Sequence, residues 1–348
     1  MNEMKALERT VCLPRSTCSW LHKRRVVALG GGTGLPAVLR SLKKRLFPPS
    51  SSSYEGECDR ERLIGIVTVT DDGGSSGRLR RELDILPPGD IRNCLAALSD
   101  NSDVFSDLFQ YRFGKGDGLS GHSLGNLLLA ALTDLKGNFM EAIQYFGRIM
   151  NVSGQIFPLS SMNVTLAARF TDGSVVRGES AIIERRGKIR DVFLSPSYAK
   201  SYPEALEAIG CADSIIIGPG SLYTSIIPNL LVNDIATAIM KSKAKKIYIC
   251  NLMTEPGETA CYTATDHIKA ILDHTEYGLL QYVILNNGRV SKEVLRRYTE
   301  QGCDPVHYNI EEIRSLGITS IVADVVTEEG DTIRHDDDKL GRLLMEVM

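Results

Sequence analysis

Val26-Val27-Ala28-Leu29-Gly30-Gly31-Gly32-Thr33-Gly34-Leu35-Pro36 decides how this chain is read, because an apolar run passes directly into a glycine-rich turn. Further along, Ile66-Val67-Thr68-Val69-Thr70-Asp71-Asp72-Gly73-Gly74-Ser75-Ser76-Gly77 has the same form. Each reads as a buried strand of an open parallel sheet, and in such sheets ligands sit in the turns at the strand C-terminal ends. Glycine lets the backbone approach a ligand closely, and the helix that follows offers free N–H groups and the positive end of its dipole to a phosphate. The two loops predict a bound nucleotide or another phosphate-bearing small molecule.

Outward from these loops, apolar strand-like runs alternate with amphipathic helical ones, the pattern of βαβ units. Strands are expected near 25–29, 63–69, 213–217, 246–250, 281–286 and 319–323, with helices over 35–45, 123–135, 231–241, 260–273, 291–300 and 337–347. The fold class is therefore α/β, a doubly wound, mostly parallel sheet. Between about 78 and 150 the strand signal gives way to successive helical patterns, a helical insertion over one end of the sheet. From 163 to 194 the alternation of Asn163-Val164-Thr165-Leu166-Ala167-Ala168, Val175-Val176, Ile182-Ile183 and Val192-Phe193-Leu194 predicts a small antiparallel β-meander.

The chain of 348 residues suffices for one large domain or two smaller ones, and 43% hydrophobic with 24% charged residues is ordinary for a globular protein. A net charge of −3 leaves no electrostatic footprint for general nucleic-acid binding. Eight cysteines are scattered without metal-like spacing, as expected of core residues in a reducing cytoplasm. Residues 1–24 lack the apolar segment of a signal peptide and read as a disordered tail, and no run is long enough to span a membrane. Residues 25–348 are read as a single domain.

The first loop is a weak match to a dinucleotide fingerprint, since the third glycine should fall at position 35, where the residue is Leu35, and NAD-linked chemistry is the third reading. It is not a Walker A loop, for no Gly-Lys-Ser/Thr follows. Gly31, Gly32, Thr33 and Gly34 are its ligand candidates. In the second loop Asp71 and Asp72 could hold magnesium against a diphosphate, accept from sugar hydroxyls, or simply cap the turn. Pro88-Gly89-Asp90-Ile91-Arg92-Asn93 begins a helix, with Asp90 as its N-cap and Arg92 and Asn93 placed to face the pocket. In Gly121-His122-Ser123-Leu124-Gly125-Asn126, His122, Ser123 and Asn126 are candidates for phosphate contact, against a local reading in which Ser123 is a cap. Ile217-Gly218-Pro219-Gly220-Ser221-Leu222-Tyr223-Thr224 repeats the design and makes Gly218, Gly220, Ser221 and Thr224 a second anion nest. No nucleophile elbow, His-Glu-x-x-His or paired cysteine and histidine is present, and His267 and His274 read as solvated or capping groups. No catalytic residue is assigned.

Together these five loops, in this order, resemble the YvcK-type gluconeogenesis factors, bacterial relatives of 2-phospho-L-lactate transferase, the CofD enzyme of coenzyme F420 synthesis. The resemblance covers nearly everything from residue 25 onward. It implies a Rossmann-like core, a cytoplasmic regulator with no established reaction, and binding of a nucleotide-diphosphate sugar, typically UDP-N-acetylglucosamine. It further implies links to cell shape, cell-wall supply and growth on gluconeogenic carbon sources, with an unidentified protein partner and a homo-oligomer allowed. The stretch Glu258–His267 resembles the family's nucleotide-sugar segment, which makes Tyr262 a ligand contact with Arg297 as its basic partner. No cofactor is required. The transferase branch implies the alternative, in which Asp71 and Asp72 hold Mg2+ while an alcohol attacks phosphorus.

Overall fold

A computed structural model describes residues 24–48, 60–100 and 103–348. Its strands are β1 (Val26–Gly30), β2 (Leu63–Val67), β3 (Gln155–Pro158), β4 (Thr165–Phe170), β5 (Val175–Arg177), β6 (Ile189–Ser195), β7 (Ser214–Ile217), β8 (Lys245–Ile249), β9 (Tyr282–Asn286), β10 (Thr319–Ala323), β11 (Val326–Glu329) and β12 (Thr332–His335). Seven of them form one sheet in the order β10-β9-β8-β7-β1-β2-β3, every pairing parallel. Strands covered on both faces must be apolar throughout, and every residue of β1 and β2 is buried. From β1 the chain runs through β2 to β3 at one edge, then returns to β7 on the other side of β1 and winds on to β10. The winding direction thus reverses between β1 and β7, a topological switch point of the Rossmann-like type.

The Gly34–Leu46 helix buries Leu35, Val38, Leu39, Leu42 and Leu46, the spacing of one helical face. It packs against the Gly89–Leu98 and Asp337–Val347 helices, and Arg40 Nε meets Asp337 Oδ2 at 2.9 Å on the outside. The insertion is helical as expected: Asp103–Gln110, Leu124–Lys136 and Phe139–Ile149 pack together, with Phe109 and Phe146 stacked at 4.6 Å between ring centroids.

The antiparallel segment forms a separate three-stranded sheet of order β5-β4-β6. Ile182-Ile183 lies outside it, in the helix Glu179–Arg185, where Ile182 is buried. The helix expected over 260–273 starts at Ala264, because Thr263 caps it and exchanges hydrogen bonds with Asp266 in a capping box. Two elements escape the periodicity reading. Strand β3 is four residues long and ends in Pro158, which removes a ladder donor and confines it to an edge. The β11–β12 hairpin is equally short and turns at Gly330, whose φ is 60°.

Cys94 and Cys250 are buried core residues, whereas Cys211 and Cys261 are exposed. The tail read over 1–24 and Cys12, Cys18 and Cys58 fall outside the described residues, except for Arg24 itself. No single described helix is long and apolar enough to cross a membrane.

Leu42 is fully buried in the main core. Leu42→Ala should lower stability by about 2–5 kcal/mol, read as a shift of the urea midpoint at unchanged slope. A loss under about 1 kcal/mol would mean that this helix face is not the packed one described.

Candidate ligand-binding crevice

Neighbouring strands β1 and β7 each end in one of the predicted glycine loops, so the two loops face each other across the switch point. They touch: a Cβ on Gly34 would run into the carbonyl of Pro219 and come within 3.0 Å of Gly220 N. Gly32 has φ +58°, a conformation that glycine adopts without strain, and its N–H donates to Asp90 Oδ2 at 2.7 Å. Asn229 Nδ2 braces both loops by donating to Gly30 O at 3.1 Å and Ser225 O at 2.8 Å. After Ser221 the chain takes one π-helical stretch, Leu222–Ile226, a local widening common at functional sites.

Between the loops lies a cavity of about 270 Å³ whose walls include Gly32, Thr33, Gly34, Gly220, Ser221 and Asn251. Thr33 stands at the N-cap of the Gly34–Leu46 helix without using its hydroxyl as a cap, and it is exposed to the cavity. A second cavity of about 360 Å³ adjoins at the ends of β8 and β9, with Asn286, Asn287, Gly288 and His307 in its wall and Asn251 and Leu252 shared with the first. Both sizes suit parts of a small-molecule ligand. Asn251 is 9% exposed and its Oδ1 has no hydrogen-bond partner. A buried carbonyl oxygen of this kind wants a donor, and a ligand can supply one.

The predicted residues outside the crevice sort into groups. Asp71 Oδ1 accepts from Gly73 N at 2.9 Å, while Asp72 Oδ1 accepts from Ser180 N at 2.9 Å, so the two carboxylates reach in different directions. Asp90 is not the N-cap, a place taken by Pro88. Its carboxyl reaches back to the first loop instead, and burial, the largest influence, pushes its pKa up to about 6. Glu179 accepts from Thr70 Oγ1 at 3.3 Å, and Glu258 accepts from Thr224 Oγ1 at 2.7 Å and from Tyr223 N at 3.0 Å. Burial raises both acids above the usual range; Asp71, Asp90, Glu258 and Asp72 add repulsion at Glu179, and Glu255 adds it at Glu258. Glu179 had no local sequence signal, since only the fold brings the end of the β5 turn to this place. Glu258 opens the Glu258–His267 stretch, but its role depends on Tyr223 and Thr224, more than thirty residues earlier in the chain.

His122, Ser123 and Asn126 are all buried. Ser123 caps the Leu124–Lys136 helix through Asn126 N, while Ser75 Oγ links His122 Nδ1 at 2.9 Å and Asn126 Nδ2 at 3.0 Å. These three predicted residues therefore come together around Ser75, away from the crevice walls. Asn93 accepts from Arg92 Nη2 at 2.7 Å. Half-buried Tyr262 shares a 2.9 Å hydrogen bond with the hydroxyl of Tyr223 and lies edge-on to it, so it joins the network of Glu258 rather than lining either cavity. Arg297 lies on the surface, ion-paired with Glu293 and Asp331, and its neighbour Tyr298 lines the first cavity in its stead. His274 stands at the C-cap of the Ala264–Asp273 helix, bonding Ala270 O and accepting from Val192 N, whereas His267 is fully buried within that helix against Thr263 O and is neither solvated nor a cap. No three histidine, cysteine or acidic side chains among the described residues are grouped to hold a metal ion.

Comparison with known proteins agrees with this architecture. The family model for 2-phospho-L-lactate transferase CofD matches residues 26–326. The chain is 47% identical over 327 residues to the gluconeogenesis factor of Bacillus subtilis, covering 94% of this chain and 99% of that protein. The gluconeogenesis factor of Halalkalibacterium halodurans is 46% identical, with 94% and 97% covered. A crystal structure of a UPF0052 family member from Bacillus halodurans superposes with a TM-score of 0.86 at 44% identity, covering 92% of this chain and 99% of that one.

Asp90 also provides a test. Its folded pKa of about 6 lies above the ordinary carboxyl value of about 3.9, so the folded protein binds an additional proton between those values and loses stability as pH rises through them. Asp90→Asn keeps an acceptor for Gly32 N–H and removes the charge. The variant should be more stable than the parent by about 2–3 kcal/mol at neutral pH and above. In urea unfolding across pH the difference should vanish below about pH 4; a difference independent of pH would sink the assignment.

Proposed function

The chain belongs to the family of 2-phospho-L-lactate transferase CofD and its gluconeogenesis-factor relatives, and from that premise we propose that it is a regulatory protein that binds a nucleotide-diphosphate sugar of the UDP-N-acetylglucosamine kind. One observation carries the reading: two glycine loops face each other across the switch point and open on two polar cavities joined at Asn251. The diphosphate is taken beside Thr33 at the start of the Gly34–Leu46 helix, at the positive end of the helix dipole. Nucleoside and sugar extend past Asn251 toward Asn286 and His307. Binding draws the loops together and shifts the population of a surface that a protein partner reads. In this reading the protein acts in the cytoplasm on gluconeogenic growth, the role that the name of its relatives supports, and on envelope supply, and a homo-oligomer is compatible with it.

The layer of acids behind the loops favours a second reading, magnesium-dependent transfer of a substituted phosphate. Mutually repelling carboxylates at Asp71, Asp72, Asp90 and Glu179 welcome a cation. Asp71 and Asp72 would hold it, and magnesium supplies charge neutralisation on a diphosphate. Because Asp72 is drawn toward Ser180, the donor set fits an ion completed by phosphate oxygens and water rather than a protein cage.

Calorimetric titration with UDP-N-acetylglucosamine, UDP-glucose, GDP and NAD, each with and without magnesium, separates the readings. The uridine sugars should bind one to one without turnover. Asn251→Ala should weaken them roughly tenfold by removing a buried acceptor, while the thermal transition stays near the parent's. Binding of GDP alone, strengthened by magnesium, would transfer the assignment to the transferase.

A further inference from the structure

Arg92 stands in the first turn of the Gly89–Leu98 helix with only 6% of its surface exposed. Its Nη2 donates to Asn93 Oδ1, but Nε and Nη1 are buried and meet no acceptor among the described residues. The nearest acids are engaged elsewhere: Asp90 accepts from Gly32 N–H and Asp71 from Gly73 N–H. An unpaired buried cation is among the least favourable arrangements a fold can hold. A guanidinium with Nε and one Nη open also presents a two-donor fork suited to the oxygens of a phosphate.

The surroundings add positive charge. Arg112 acts on Arg92 strongly enough to join burial in depressing its pKa to about 10, against the opposing pull of Asp90 and Asp71. Arg112 Nη1 donates to Gly121 O at 2.6 Å and Arg78 Nη2 to Ser120 O at 2.7 Å, fixing two more guanidinium groups beside buried His122. Arg78, with Arg112 behind it and Glu82 opposing, helps burial hold His122 below its usual range, so the ring is neutral and bonds Ser75. None of Arg78, Arg92, Arg112 and His122 lines either crevice cavity.

We propose that Arg92, with Arg112 beside it, forms an anion subsite for a phosphate group, separate from the glycine-loop crevice. Its ligand class is free phosphate or the phosphoryl group of a small metabolite, which enters on a local opening of the packed chain. The proposal stands whether or not the crevice takes a nucleotide sugar.

The test titrates inorganic phosphate into the full-length protein at constant ionic strength, by calorimetry and by thermal shift, for the parent, Arg92→Met and Arg92→Lys. The parent should bind one phosphate saturably and melt at a higher temperature with it. Arg92→Met should bind roughly 10- to 100-fold more weakly, and Arg92→Lys should fall between, a point charge replacing the fork. In phosphate-free buffer Arg92→Met should be at least as stable as the parent, because an unpaired charge is gone. Equal binding by parent and Arg92→Met, or a destabilised Arg92→Met without phosphate, overturns the proposal. Exposed Arg112→Gln supplies a second variant that should fold normally and weaken phosphate several-fold; no weakening there counts against it. Saturating uridine diphosphate should leave the phosphate isotherm unchanged, and one-for-one competition would overturn the separateness of the subsite.

Discussion

The contact between Gly34 and the carbonyl of Pro219 is the constraint from which the rest of the site follows. It is a backbone-to-backbone approach that no side chain at position 34 would permit, and it locks the turn after β1 against the turn after β7. Once these turns are fixed, Asn229 can bridge them, and the cavity between them takes its width. Behind the contact, Asp90 ties the first turn to the Gly89–Leu98 helix through Gly32 N–H. A loop that would be mobile in isolation is thereby held by groups from several distant parts of the sequence, which is how a rigid scaffold presents a functional turn.

That arrangement gathers acids where water is scarce. Asp71 with Asp72, Asp90, Glu179 and Glu258 reach the ends of the central strands from four different places in the chain. Each raised pKa reports burial first and mutual repulsion next. A layer of this kind stores unfavourable charge that a cation, a proton or a phosphate-bound ion relieves, and perturbed acids in a cleft commonly mark function. Arg80 and Arg92, themselves depressed by burial, lie within electrostatic reach of these acids but donate elsewhere, Arg80 to Val164 O and Thr165 Oγ1 and Arg92 to Asn93 Oδ1.

Much of this was legible before any coordinates. The apolar runs at Val26–Leu29 and Ile215–Ile217 could only be buried parallel strands, and the glycine turns after them named the crevice. Thr33, Gly32, Gly34, Gly220 and Ser221 were found because strand, turn and helix start are consecutive in sequence. What escaped depends on contacts between distant residues. Asp90 read locally as a cap, and only the third dimension brings its carboxylate to Gly32. Glu179 has no neighbour in sequence that marks it, and Ser75 gains its role from His122 and Asn126 across the fold. Short edge elements such as β3 carry too few residues for a period to show.

The packing of the Gly34–Leu46 helix against Asp337–Val347, with Arg40 on Asp337 and Lys44 and Arg45 on Asp338, has a consequence for synthesis. The helix that carries the first glycine turn leaves the ribosome early, but one flank of it has no cover until residues beyond 337 emerge. During translation the nascent chain therefore holds an incomplete crevice with an apolar flank open to chaperones.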